Sequence, residues 1–404
     1  MEGFFTSKEI ECKSRPDGKK YTCSVCGLYK TVNTPRIPPV GNFKKRILNI
    51  GQSPSDIDDK LGTHWAGRAG KKLEKVYKQL GIDLFEDCLN INACHCRTSE
   101  EDGSGRPPTT TEISCCRKTT LKIIEEYKPQ LIVLFGDSAL YSVIGHRWKK
   151  ELGTISKWRG HSIPDQDFKA WICPVFHPQI LLNSKYGVEE AIWLNDLEEA
   201  IKTLDKTFPI YKEPKIEVIE DLSVLREFRS KVIAFDYETT GLKPYASGHK
   251  IICCAVATTP DFAYVFMMPK SRKARQPFVD LLANKDISKI AHNMKFEDTW
   301  SRVILRQKVE AWWRDTMLCA HVLDNRPGIT NLKIQTYLRF GVVDYASEIS
   351  PYLESVDGTT NGFNRIEQLI ALPNGDRKLL KYCALDAINE YRLYKEQELD
   401  MLPF

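Results

Sequence analysis

Two α/β domains are predicted, the first on a parallel sheet covered on both faces and the second on a mixed sheet. Three observations point there. The chain has 404 residues, more than one ordinary hydrophobic core organises, so two units of roughly 200 residues are the natural division. From residue 46 to about 206, short apolar runs alternate with longer amphipathic ones, the pattern of strands that cross over through helices. After residue 220 three apolar runs come first and helical stretches dominate beyond 275. Residues 208–220 (FPIYKEPKIEVIE) hold two prolines among mixed charges and mark the boundary, giving domains at 1–208 and 215–404.

In the first domain, Arg46–Gly51 reads as a buried strand ending in a Pro/Ser loop. A helix over 67–80, a strand at 87–93, a helix over 110–127 and the strand LIVLFG at 131–136 follow. A short helix, a strand at 170–176 (AWICPVF) and a polar helix over 187–206 complete it. The second domain opens with a helix near 221–230 and the strand VIAFDYE. Strands at 251–257 and 262–268 come next, joined by a short Thr-Thr-Pro-Asp turn. There is no internal repeat and no low-complexity tract.

Hydrophobic residues make up 42% and charged residues 27% of the chain, as in soluble globular proteins. No apolar run nears the ~20 residues of a membrane span, and Lys, Glu and Cys stand where a signal peptide is apolar. The expected compartment is cytoplasmic. A net charge of +5 permits nucleic-acid binding without demanding it. Thirteen cysteines in a reducing compartment are core residues or metal ligands rather than disulfide partners.

Asp236 and Glu238 stand two apart at the end of the apolar strand Val232–Phe235. Alternate strand residues share a face, so both carboxylates point the same way. Two adjacent carboxylates repel unless a cation lies between them, and hard oxygen ligands suit Mg²⁺ or Mn²⁺. The bland alternative is a polar strand edge. Tyr382 and Asp386 are spaced i, i+4 in the helical stretch 377–395 and share one helix face. Between them lies Ile290–Asp298, an apolar entry to a polar helix start, and Asp315 opens the run TMLCAHVL.

FDYETTGL, AHNMKFED, DTMLCAHVLDN and YCALDA, in that order, resemble the exonuclease motifs of family A DNA polymerases, the DEDDy class with a ribonuclease-H-like fold. The resemblance covers roughly 215–404. It implies that Asp236, Glu238 and Asp386 are metal ligands and that Tyr382 orients the attacking water. The family's second motif commonly reads N-x-K-[FY]-D, whereas this chain has Glu297 at the fifth place and Asp298 beside it. Glu297 keeps the register with Asn293, Lys295 and Phe296 and is the favoured ligand; Asp298 is the alternative. Asp315 is expected to be structural or substrate-side. Two divalent cations, ~4 Å apart in such sites, would drive in-line hydrolysis and release nucleoside monophosphates from a single-stranded or frayed 3′ end of DNA.

Four cysteines mark the first half: the C-x-x-C pair Cys23 and Cys26, then Cys96 and Cys116. Such a set can hold a [4Fe–4S] cluster or a structural zinc, with Cys94 and Cys115 as rival ligands. Around them the chain resembles the family 4 uracil-DNA glycosylases, which carry such a cluster. The matching pieces are GQSPS at 51–55, W-A-G-R-A-G at 65–70, N-x-x-x-C-R from Asn92, R-x-P-x-x-x-E-I-x-x-C from Arg106, IVLFG at 132–136, R-G at 159–160 and F-H-P at 176–178. The resemblance implies that Trp65 stacks on a flipped base, Asn92 reads its edge and His177 lies near the departing base. The family's first motif is commonly G-E-[AG]-P-G, and here Gln52 and Ser55 replace the glutamate and the second glycine. Asp58 or Asp59 could supply an acid instead. The expectation is a retained DNA-binding or uracil-sensing module, with an active glycosylase as the alternative.

Paired domains of these two kinds resemble phage replication proteins, where they precede a polymerase domain. That implies the host cytoplasm and, because the chain ends at Phe404, a separately encoded family A DNA polymerase or a shortened chain. A non-catalytic subunit that tethers DNA for a polymerase is the rival; the D-x-E and Y-x-x-x-D motifs speak against it.

Overall fold

The computed structural model describes residues 21–148, 152–182, 187–342, 345–359 and 361–401. The first twenty residues of the first predicted domain and the terminal Leu-Pro-Phe lie outside the described residues. The chain divides into two compact units, 1–211 with 337–343, and 212–336 with 344–404.

The first unit is a five-stranded sheet of β1 (Ile47–Gly51), β2 (Cys88–Asn92), β3 (Leu131–Phe135), β4 (Ile163–Asp165) and β5 (Ala170–Val175) in the order β2-β1-β3-β5-β4. The first four in that order run parallel, and β4 pairs antiparallel with β5. β4 departs from the expected all-parallel sheet: three residues with a central proline (Ile163, Pro164, Asp165) carry no strand signal of their own. All five residues of β1, β2 and β3 are buried, as strands covered on both faces must be. Helices Arg68–Gln79, Thr110–Tyr127, Gly136–Val143 and Val188–Lys202 match the predicted ones to within a few residues. Helix Asp56–Leu61, which the sequence reading passed over as loop, is started by a capping box between Ser55 and Asp58.

The second unit is a six-stranded mixed sheet, β11-β10-β7-β8-β9-β6, of β6 (Lys215–Val218), β7 (Val232–Thr239), β8 (Ile251–Thr259), β9 (Phe262–Met267), β10 (Ser288–Ala291) and β11 (Trp312–Asp315). β7, β8 and β9 form an antiparallel meander, while β6, β10 and β11 join in parallel. β6, β10 and β11 are four residues each and were not foreseen as strands, being too short to show a period of two. The expected helix near 221–230 is a 3₁₀ turn at Leu222–Glu227, capped by Asp221.

β7 sorts its side chains by face. Ile233, Phe235 and Tyr237 pack into a core with Phe278, Leu281 and Trp300. Ala234 faces the other way, among Ala255, Ala257 and Ala263 and the helix Gly375–Asp400. Small residues on that face bring the helix close to the sheet, and its buried side includes Leu379, Cys383, Ala384, Ala387 and Ile388. That helix carries Tyr382 and Asp386, so the alanine face sets where these residues meet β7.

Candidate functional site

Asp236 and Glu238 leave β7 on the alanine face. Glu238 is 7% exposed, Glu297 2% and Asp386 6%. Asp236 Oδ2 and Glu297 Oε2 are buried without a hydrogen-bond partner. Burial raises the carboxyls of Asp236, Glu238 and Glu297 well above the usual range. Mutual repulsion adds to it: Asp386 acts on Asp236, and Asp236 acts on both Glu238 and Glu297. Asp236 thus lies within electrostatic reach of Glu238, Glu297 and Asp386, and among the described residues Glu238 and Cys383 share with it a group of ligand atoms within 4.8 Å. Buried anionic oxygens without partners are costly unless a cation accompanies them. The donors are carboxylate oxygens, which fits a hard divalent ion.

Glu297 and Asp298 are separated by geometry. Asp298 turns outward, bound by Arg302 at 2.5 Å and by Trp312 Nε1 at 3.3 Å. Asp315 is consumed otherwise: it caps the helix Thr316–Leu323 and accepts the backbone N–H groups of Asn293 and Met294, each at 3.0 Å. It therefore holds the loop from which Glu297 departs.

Sequence reasoning did not single out four further groups. Lys333 pairs with Asp386, lies 3.1 Å from Tyr345 Oη, and sits over the rings of Tyr345 and Tyr382 at 4.3 and 4.4 Å. The Tyr345 hydroxyl also donates to Asp386. Cys383 lies within 4.8 Å of the oxygens of Asp236 and Glu238, but burial raises its thiol pKa and it donates to the Asp236 carbonyl at 3.5 Å. A protonated thiol is a wall of the site, not a ligand for a hard ion. Glu390, one turn after Asp386, is 1% exposed. Its signal was available, since it repeats the Tyr382–Asp386 spacing; Lys333 and Tyr345 gave none.

In the first unit, Gly51 and Asn92 end the adjacent strands β1 and β2 in register. Gly51 is required there, because a Cβ would lie 2.3 Å from Asn92 Oδ1. Asn92 Nδ2 lies 2.9 Å from His64 Nδ1, and His64 Nε2 lies 2.9 Å from the Pro38 carbonyl. That carbonyl only accepts, so His64 carries its proton on Nε2 and takes the Asn92 amide on Nδ1. Burial lowers the His64 pKa to about 4, which keeps this relay neutral. Trp65 holds a left-handed φ of 62° and stacks on His177 at 5.6 Å with 28° between planes. His177 accepts the Gln179 backbone N–H on Nδ1 at 3.2 Å, and burial lowers its pKa to about 4. The structure thus gathers Trp65, Asn92 and His177 around the ends of β1 and β2.

Gln52 shares that loop, and its backbone carbonyl accepts the Cys94 backbone N–H at 3.1 Å. The two candidate substitute acids are committed elsewhere. Asp58 accepts the backbone N–H groups of Ser55 at 2.8 Å and Ala66 at 2.7 Å, and Asp59 holds Asn33 and Thr34 at 2.8–3.0 Å.

Cys23, Cys26, Cys96 and Cys116 line one cavity of about 130 Å³, together with Cys94 and Cys115. Cys94 and Cys116 hydrogen-bond each other, which raises the Cys94 thiol and lowers that of Cys116. The motif that carries Cys116 has a physical reading. Thr109 and Glu112 form a capping box for the helix Thr110–Tyr127, and Arg106 grips Glu112 with two bonds of 2.9 and 2.6 Å. All twelve described cysteines are free.

Comparison with known proteins matches these halves separately. The uracil DNA glycosylase superfamily matches residues 38–201, and a 3′-5′ exonuclease family matches residues 216–400. A type-4 uracil-DNA glycosylase of Thermotoga maritima is 32% identical over 185 residues, covering 46% of this chain and 90% of that protein. A DNA polymerase of Bacillus phage SP01 is 24% identical over 340 residues, covering 75% of this chain and 35% of the polymerase. That alignment is longer than either family match, so it crosses both halves; the chain spans about a third of the polymerase. Brucella melitensis NrnC aligns with 46% of this chain and 81% of its own, at 16% identity and a TM-score of 0.33. The chain therefore belongs to the uracil-DNA glycosylase superfamily through its first half and carries a 3′-5′ exonuclease domain in its second.

Proposed function

We propose that this protein is a metal-dependent 3′→5′ DNA exonuclease of the proofreading type, serving a phage-like replication system from the host cytoplasm. The reading is carried by the convergence of Asp236, Glu238, Glu297 and Asp386 on one buried cluster with unpartnered oxygens. Asp236, Glu238 and Asp386 would hold one Mg²⁺ or Mn²⁺, and Asp236 with Glu297 a second. Such a pair activates a water and steadies the leaving 3′-oxygen during in-line displacement. Tyr382 keeps its phenolic proton, since burial and the neighbouring Asp386 raise its pKa well above the ordinary value. Its hydroxyl can therefore orient the water without ionising. Lys333 and Tyr345 fix Asp386 from the outer side.

The substrate is DNA with a single-stranded or frayed 3′ end, and the products are nucleoside monophosphates. A family A DNA polymerase, proposed to be a separate chain, would supply such ends; the phage polymerase relative supports the link to a polymerase. The first unit is proposed to bind DNA or sense uracil without excising it. Gln52 supplies no carboxylate, and Asp58 and Asp59 are consumed by backbone N–H groups.

Cys23, Cys26, Cys96 and Cys116 are proposed to hold a [4Fe–4S] cluster. Zinc would draw four sulfurs to roughly 3.8 Å of one another, from Zn–S bonds of ~2.3 Å. The cavity of about 130 Å³ that these sulfurs line has room for a cluster between them, which supports the cluster reading. Iron and zinc analysis of the purified protein tests this: one cluster's iron supports it, and stoichiometric zinc overturns it. Digestion of a 3′-terminal strand in Mn²⁺ by the wild type, and none by Asp236→Ala, is the outcome expected of the nuclease.

A further inference from the structure

The nuclease reading uses four carboxylates, yet the cluster contains a fifth. Glu390 lies one helical turn beyond Asp386, on the same face of the helix Gly375–Asp400. It is 1% exposed, and its Oε2 is buried without a hydrogen-bond partner. The backbone N–H of His292, in the loop that leads to Glu297, acts on its carboxyl. The charges acting on it are Asp236, Glu297 and Asp386, in that order. All three repel it. A buried carboxyl among other carboxyls either keeps its proton or gives it up to a cation shared among them.

We propose that Glu390 is a fifth carboxylate of the cation-holding cluster, contributing its charge to the ion on the Glu297 side. The inference rests on the metal-dependent reading above and extends it. The charge count agrees. Asp236, Glu238, Glu297, Asp386 and Glu390 face one ammonium, Lys333, leaving four negative charges for two divalent ions to neutralise. Asp315 stays out of that count because backbone N–H groups and a helix start satisfy it.

The test is Mn²⁺ binding by the EDTA-stripped full chain, followed by calorimetry and by the spin-resonance signal of free Mn²⁺. Glu390→Gln keeps an acceptor for the His292 N–H, so a purely structural role survives the change while the charge is lost. The expected result is two ions in the wild type, with one of them weakened about 10-fold in Glu390→Gln, as for other residues that support metal ligands. The melting temperature in EDTA should be no lower than that of the wild type. Wild-type Mn²⁺ affinity in Glu390→Gln overturns the proposal. Should that variant not fold, Glu390→Asp, which withdraws the charge by one methylene, is expected to weaken the same ion several-fold, and unchanged binding there overturns it equally. Asp236→Ala separates the two claims: if it binds Mn²⁺ as the wild type does, the nuclease reading itself fails.

Discussion

Asp236 and Tyr382 divide the proposed chemistry between charge and orientation. Asp236 and Asp386 would both contribute carboxylates to the ions, so Asp236→Ala or Asp386→Ala should lower digestion of a 3′ end by about 10²-fold or more, measured on a labelled single strand. Tyr382→Phe removes only the hydroxyl that orients water and should cost about 10-fold with the fold intact. In the first unit the candidate residues were readable as a set and not as individuals. Trp65, Asn92 and His177 mean little alone, and only their order along the chain placed them together. His64 was missed, because a histidine before a tryptophan carries no motif; its role appears only when its ring is found between Asn92 and the Pro38 carbonyl.

The helix Gly375–Asp400 and strand β7 decide whether there is a site at all. Asp236 is the register partner of Ala255 on β8, and both lie under that helix. Ala255→Leu would force the helix off the sheet, costing about 1–3 kcal/mol by overpacking. Digestion should fall well beyond what that loss of stability explains, a comparison made with a thermal melt beside the rate. The long elements here were readable because their periodicity runs for many residues, as in Thr110–Tyr127 and Gly375–Asp400. The strands β10 and β11 were not, with four residues each, although they carry the loop of Glu297 and the cap Asp315. β10 takes its strand character from pairing with β7, a segment more than fifty residues away, and β11 takes its own from pairing with β10. The same holds for β4, whose antiparallel place beside β5 is set by tertiary packing.

Across the whole molecule, two sets of buried titratable groups act in opposite directions with pH. The carboxyls of Asp236, Glu238, Glu297 and Glu390 are raised in the folded state. In EDTA their contribution is therefore full below the unfolded carboxylate range and is lost as pH rises through the raised values. His64, His95 and His177 are lowered from 6.5 to about 4. There the unfolded chain binds more protons, so stability is present above the unfolded value and is lost as pH falls toward the folded one. A divalent ion removes the first effect and leaves the second. Mn²⁺ should accordingly raise the melting temperature more at about pH 8 than at about pH 5.5, and a pH-independent increment would contradict the buried acidic cluster.

The measurement that bears most directly on the nuclease is digestion of a 3′-terminal single-stranded DNA by the full chain. It is run with Mn²⁺ and with EDTA, for the wild type and for Asp236→Ala. Stepwise shortening from the 3′ end, with release of nucleoside monophosphates, only in Mn²⁺ and only by the wild type, is the predicted result. Equal digestion by Asp236→Ala, or no digestion by either protein in Mn²⁺, would contradict it.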